Sequence, residues 1–297
     1  MTRESSIALT PLALIAFASN SVLTRLALGA HQIDAASFTA VRLLSGALVL
    51  ALVVRAKEGG WAALVPRDLA GPGTLIVYAV PFSLGYVRIG AAIGALVLFS
   101  AVQFTMVAYG IAKGERPRPL AWLGLATAVA GLALLTAPSA QRPDTVGVLL
   151  MAAAGAAWGA YSIAGRSEPD PIVSNARNFL WSAPLALLLS ATVPGPHAIG
   201  ARGVLLAVVS GAVTSAGGYI VWYRALRELT VTAAAVAQLA VPVLAAFGAV
   251  LFLGEPANAR MVLSGAIVVV GIALVVASRG LSSQAAKVRR RQLHTRR

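Results

Sequence analysis

The sequence contains no cysteine. Disulfide bridges and thiolate metal sites are therefore excluded. Charge is scarce as well: Asp, Glu, Lys and Arg make up 11% of the 297 residues, against roughly 25% in an ordinary soluble chain. So little charge cannot cover a water-facing surface. A soluble enzyme, a secreted disulfide scaffold and a disordered chain are all ruled out. Acids are the scarcest groups, ten in all. Glu4, Asp34, Glu58, Asp68, Glu115, Asp144, Glu168, Asp170, Glu228 and Glu255 fall at the ends of apolar runs or between them, and so do His31, His197 and His294. Without a mid-depth acid or histidine, the proton-coupled classes of carrier lack their relay group. The pattern His-Glu-x-x-His is missing, and no histidine stands inside an apolar run as a base, so enzymatic chemistry is not expected. No cofactor and no metal are expected either.

What the chain does have is apolar length. Apolar residues reach 58% and the mean hydropathy is +0.81. Crossing the hydrocarbon takes about 20 apolar residues. Ten stretches qualify: 6–28, 35–55, 69–88, 91–112, 120–137, 145–165, 172–193, 203–223, 231–253 and 260–279. Only helices and closed barrels satisfy their backbone in lipid, and runs of this length are helical. The fold class is an all-α polytopic membrane protein. The gaps are too short for a soluble domain, so function lies within the bundle.

Lys and Arg outnumber Asp and Glu by 24 to 10. With the first residues inside, seventeen basic residues fall on the inner side and five on the outer. Basic loops resist translocation, so both termini are expected in the cytoplasm and the chain in a bacterial inner membrane. The tail 280–297, with Lys287, Arg289, Arg290, Arg291, Arg296 and Arg297, suits anionic lipid. It carries no aromatic interleaving, which argues against nucleic acid as a partner. A monomer is expected.

The chain repeats itself. Gly114-Glu115 ends the fourth stretch and Gly254-Glu255 the ninth, 140 residues apart. From there Leu123, Ala126, Val129, Gly131, Ala133, Leu134 and Ala137 match Leu263, Ala266, Val269, Gly271, Ala273, Leu274 and Ala277. At an offset of 141, Phe17 and Arg25 fall opposite Trp158 and Arg166. The halves are 6–137 and 145–279. Five spans per half is odd, so the second half inserts upside down. Inverted repeats of this kind are a mark of secondary transporters.

The doubled Gly-Glu motif, each time followed by a glycine-spaced helix, resembles the drug/metabolite transporter superfamily, and in particular its EamA-type ten-helix carriers. The stretches Gly94-Ala95-Leu96-Val97-Leu98-Phe99 and Val102-Gln103-Phe104-Thr105-Met106 resemble the YddG-type amino-acid exporters. Gln103 and its neighbours stand where EamA repeats carry a proline, as Pro242 does in the second half. The resemblance implies export of amino acids and related small metabolites by alternating access. The alternative is efflux of drugs or cationic toxicants, for which the missing cavity acid counts as a deficit.

Polar and aromatic side chains at mid-depth are the candidate substrate contacts: Asn20, Tyr78, Gln103, Trp158, Tyr161, Ser215, Tyr219 and Gln238. Amides facing lipid would leave donors and acceptors unmatched, so they should point inward. Trp158 and Tyr161 are three apart and share a helix face. Gly155 and Gly159 should let a neighbouring backbone approach. Pro81, Pro184 and Pro242 each delete a helical hydrogen bond; carbonyls freed near Pro242 could meet a substrate ammonium. Arg42 and Arg177 are expected to snorkel to the headgroups, with a cavity-facing Arg42 as the alternative. Glu115 and Glu255 are expected to be ordinary polar helix ends, or to latch one conformation through a salt bridge to a loop arginine. Trp61 and Trp122 fit an interfacial belt.

Overall fold

In a computed structural model the chain is helical throughout its spans. The structure describes residues 3–29, 31–58, 64–65, 68–136, 144–192, 198–254, 257 and 259–294, without the side chains of 3–8, 58, 90–93 and 279–294. Trp61, His197 and Glu255, and the side chains of Glu4, Glu58 and the basic tail, lie outside the described residues.

The helices are α1 (Arg3–Gly29), α2 (Ala35–Glu58), α3 (Ala70–Ala112), α4 (Pro119–Thr136), α5 (Thr145–Gly165) and α6 (Pro171–Thr192). Then come α7 (Ala201–Val209), a π-helical turn over Ser210–Ser215, and α8 (Ala216–Leu226). Last are α9 (Val231–Ala237), α10 (Ala240–Leu253) and α11 (Ala259–His294).

α3 merges the third and fourth expected spans. Its 43 residues would measure about 65 Å if straight, twice the hydrocarbon core. It is not straight. A Cβ added at Gly85 would lie 3.0 Å from Met151, and one at Gly94 2.9 Å from the same side chain. Nine residues of straight helix would separate them by about 13.5 Å along the axis. α3 thus doubles back, with limbs Ala70–Ile89 and Gly94–Ala112, as the two separate stretches in the sequence require. The eighth span is α7, the π turn and α8 in series, and the ninth is α9 and α10 around a break at Gln238-Leu239. Eight spans are long and apolar enough to cross a membrane by composition alone, and α4 is a shorter apolar helix. The tenth, α6, is diluted by Asn175, Arg177 and Asn178. The protein is a multi-pass membrane protein, helical in its spans, with ten helical passages among the described residues.

The main helix pairs join elements before residue 137 to elements after residue 145. α1 lies against α8 and α10, while α5 lies against both limbs of α3; α2 pairs with α6 and α4 with α11. In the last pair, a Cβ on Gly271 would meet the Ala128 amide nitrogen at 2.5 Å, and one on Gly131 the Val268 nitrogen at 2.9 Å. Shifting each residue by 140 turns one contact into the other. Small residues make this backbone approach possible, as they do at Gly155, whose added Cβ would sit 2.3 Å from the Leu98 carbonyl.

The two ends of the bundle are tied by charged groups and loop backbone. One end gathers Lys57 on Asp170, Arg166 at 4.0 Å from Glu115, and Arg227 donating to the Pro169 carbonyl at 2.7 Å. The other has Arg88 on Asp144 at 2.9 Å and the Gly200 amide on the Gln32 carbonyl at 2.8 Å. Acids serve as helix caps. Asp34 accepts from Ser37 N–H, Asp144 from Val146 N–H, and Asp170 from Ile172 and Val173 N–H. Each carboxylate meets the positive end of a helix. Glu115 does the same from a distance in sequence: it takes the Val231 amide at 2.7 Å, the Thr232 amide at 3.1 Å and the Thr232 hydroxyl at 2.7 Å. Its chief partners are thus the first N–H groups of α9, and Arg166 stands at the edge of ion-pair range.

Candidate functional site

A cavity of about 40 Å³ sits where α1, both limbs of α3, α5, α8 and the α9–α10 break converge. Its walls are Phe17, Asn20 and Ser21 from α1, Tyr78, Phe82, Leu98 and Phe99 from α3, Trp158, Tyr219, and Gln238 with Val241 at the break. A water needs about 10–15 Å³ of such volume, so the space holds about three waters. An amino acid would enter only after the rings part.

Five of the eight expected residues line this space: Asn20, Tyr78, Trp158, Tyr219 and Gln238. Trp158 is the hub. Its ring lies 5.3 Å from Phe17, 4.9 Å from Tyr78, 4.8 Å from Tyr219 and 5.7 Å from Tyr161. Its indole N–H donates to Gln238 Oε1. Gln238 in turn donates to Met106 Sδ at 3.2 Å. Ser210 and Thr214 donate to Asn20 Oδ1, joining α1 to the π turn.

The other three stand behind the wall. Gln103 donates to the Ala235 carbonyl at 2.6 Å, bracing the end of α9, while its Oε1 is buried without a partner. Tyr161 donates to Asn175 Oδ1 at 2.8 Å and accepts from Asn178 at 3.2 Å. Ser215 accepts from Arg42 Nε at 2.9 Å.

Arg42 corrects one expectation. It does not snorkel: it is 1% exposed, and Nη2 donates to the Tyr219 hydroxyl at 2.9 Å. Its guanidinium carbon lies 5.8 Å from the Tyr78 ring centre. Nη1 has no partner, and no described carboxylate pairs with it. The cause is a close helix crossing. Gly211 in the π turn has its missing Cβ position 2.0 Å from the Arg42 carbonyl, so α2 presses on the eighth span and the guanidinium has no route to the headgroups. Arg177 is half-buried and Trp122 is exposed on α4.

Sequence reasoning passed over Phe82, Leu98, Phe99 and Val241 as wall residues, because apolar side chains look alike whether they face lipid or cavity. It had a signal for Phe17, which the 141-residue offset sets opposite Trp158. The same offset sets Tyr78 opposite Tyr219, and both line the cavity. Asn175 and Asn178 were legible as amides inside an apolar run. Among the described residues no three acids or histidines come together.

The second half of the chain, residues 145–277, matches the EamA-like transporter family. An uncharacterized protein of Pseudomonas aeruginosa is 43% identical over 94% of this chain and 97% of its own length. A Streptantibioticus cattleyicolor protein named "probable terminal-alkyne amino-acid exporter" is 24% identical over 70% of this chain and 71% of its own. A solved crystal structure superposes with a TM-score of 0.79 at 22% identity, covering 92% of this chain and 98% of that one; at that identity the likeness speaks to the fold.

Proposed function

We propose a function from one premise: the chain belongs to the drug/metabolite transporter superfamily, among its EamA-like members. It exports amino acids and related small metabolites across the bacterial inner membrane by facilitative alternating access. The observation that carries this reading is the aromatic and amide cavity at the meeting of both halves. Phe17 and Trp158, one offset apart in the repeat, touch there at 5.3 Å. Contact between equivalent positions is what a two-fold axis through the cavity produces. The exchangeable α4–α11 contacts of Gly131 and Gly271 fit the same axis. On this basis 6–137 and 145–279 act as two inverted halves that rock about the cavity. The more basic end, with Lys57, Arg166 and Arg227, is the cytoplasmic one, and this state is latched there. The basic residues of the tail 280–297 suit anionic lipid at that end.

Aromatic faces accept side chains of many shapes, and amides and hydroxyls accept or donate without a fixed counter-charge; such a lining favours breadth. The Streptantibioticus relative's name points to amino acids. A carrier for cations would bring the solute against the buried charge of Arg42, which disfavours it. No acid lines the cavity, so the cycle has no proton relay there.

Counterflow in liposomes tests this. Vesicles preloaded with Thr, Met, Phe, Trp or a quaternary cation are followed for uptake of labelled amino acid, with and without a pH gradient. Amino acids exchanging at rates indifferent to the gradient is the expected result. Exchange of the cation alone, or exchange only under a pH gradient, sinks the reading.

A further inference from the structure

A guanidinium has five N–H donors and does not lose its proton in proteins. Arg42 uses Nε on Ser215 and Nη2 on Tyr219, both neutral hydroxyls, and leaves Nη1 with nothing. Burying a charge against neutral partners is costly, and Arg cannot escape by neutralising. A bundle held together for stability alone would place an apolar residue here. The repeat makes the same point. The 141-residue offset that pairs Phe17 with Trp158 and Tyr78 with Tyr219 pairs Arg42 with Ala183. The scaffold therefore folds with a small apolar residue at the equivalent place, and the charge is a one-sided addition.

Its position is next to the cavity. Tyr78 and Tyr219 are wall residues, and both touch Arg42 on their far side. One layer of rings separates the charge from the solute. Much of the remaining wall is apolar: Phe17, Phe82, Phe99 and Trp158. The acceptors that could meet an ammonium are neutral and engaged: Asn20 Oδ1 takes Ser210, and Gln238 Oε1 takes Trp158. The cavity is thus charged toward one half of a zwitterion only.

We infer that Arg42, screened by Tyr78 and Tyr219, is the subsite for the carboxylate of the transported solute, and that recognition is led by the carboxylate rather than the amine. A carboxylate arriving between the two rings displaces the Tyr219 hydroxyl from Nη2 and takes Nη1 as well, giving a bidentate, charge-assisted pair. The solute's apolar body then rests on Trp158 and Phe17. The inference rests on the transporter reading but not on the solute being an amino acid.

The test uses the purified full-length protein and four congeners: phenylalanine, 3-phenylpropionate (no amine), phenylalaninamide (no carboxylate) and phenethylamine (neither carboxylate nor amide). Thermal unfolding reads binding, and liposome counterflow reads transport. Phenylalanine and 3-phenylpropionate should stabilise the wild type, with the capped and decarboxylated congeners binding at least about thirtyfold more weakly, the low end for removing one partner of a buried charge pair. Arg42→Gln should melt no lower than wild type when empty and should lose the preference for a free carboxylate. Arg42→Lys, which keeps the charge without the fork, should retain the preference at lower affinity. Should Arg42→Gln fail to fold, the Lys variant's ratio and the wild-type series decide. Equal binding of phenylalanine and its amide, stabilisation by no carboxylate in the set, or an Arg42→Gln protein that keeps the preference overturns the inference. Binding of 3-phenylpropionate without phenylalanine exchange would leave it standing and remove the amino-acid reading instead.

Discussion

Trp158 joins the two functions of the cavity wall, apolar contact and polar restraint. Replacing it with Phe keeps a ring beside Phe17, Tyr78 and Tyr219 but deletes the donation to Gln238. A net hydrogen bond is worth about 0.5–1.5 kcal/mol, so Trp158→Phe should slow counterflow by up to about tenfold with little change in melting temperature. Gln103→Leu should behave in the opposite way. Its side chain holds the Ala235 carbonyl and does not line the cavity. The melting temperature should fall while the apparent KM for exchange stays put. The two variants separate residues that the sequence could only group together. Depth in an apolar run showed that Asn20, Gln103 and Gln238 should turn inward. It could not show which of them meets solute space and which braces a helix. Arg42 escaped for a related reason. Thr39, Arg42 and Ser45 stand three apart on one face of α2, but that spacing does not say whether an arginine stays buried or snorkels, which is decided by the crossing at Gly211.

At the scale of elements, the doubled Gly-Glu motif acquires a mechanical meaning. Gly114 and Gly254 both adopt positive φ, +89° and +68°, where an L side chain is strained. Added Cβ atoms there would touch nothing within 4 Å, so the strain is purely in the backbone. Gly114→Ala and Gly254→Ala should each cost about 1 kcal/mol, read as matching drops in unfolding free energy. Gly114 turns the chain so that Glu115 can cap α9. Most of the helices were legible, because lipid leaves the backbone few options and ten apolar runs state their own limits. The break between the two limbs of α3 could also be read from the sequence. The π turn could not be read: it spans Ser210–Ser215, whose residues suit an ordinary helix, and it follows from packing against Asn20 and Arg42.

For the whole molecule, the Lys57–Asp170 pair fastens α2 to α6 at one end. Burial opposes ionisation of Asp170, but the Lys57 ammonium and the Val173 and Ile172 amides outweigh it and hold the carboxyl below its ordinary value. The sign follows: the pair's contribution is complete above the unfolded aspartate pKa of about 3.9 and fades as pH falls through the lower folded value. Exchange gated by this latch should be flat between about pH 5 and pH 8. Asp170→Asn keeps a capping side chain and removes the charge. It should shift the carrier toward opening at that end. Because the chain has no cysteine, a thiol introduced by Ser21→Cys on the cavity wall is the single reactive site. Its labelling by a membrane-impermeant reagent from that side should accelerate in the Asn variant. Unchanged labelling would show that the pair is no latch.

The uncompensated charge of Arg42 also has an electrical consequence. On the proposed cycle the empty carrier holds that unit positive charge beside its cavity and inside the membrane's field, where each unit charge that crosses feels about 2.3 kcal/mol per 100 mV. A zwitterion leaves that charge as it is, so swapping one amino acid for another moves no net current. A monocarboxylate cancels it. On the proposed cycle the loaded carrier crosses neutral while the empty one returns positive, and every turnover would move one negative charge outward. Under an inside-negative potential that current would run downhill, so on the proposed cycle voltage alone would favour export of a monocarboxylate.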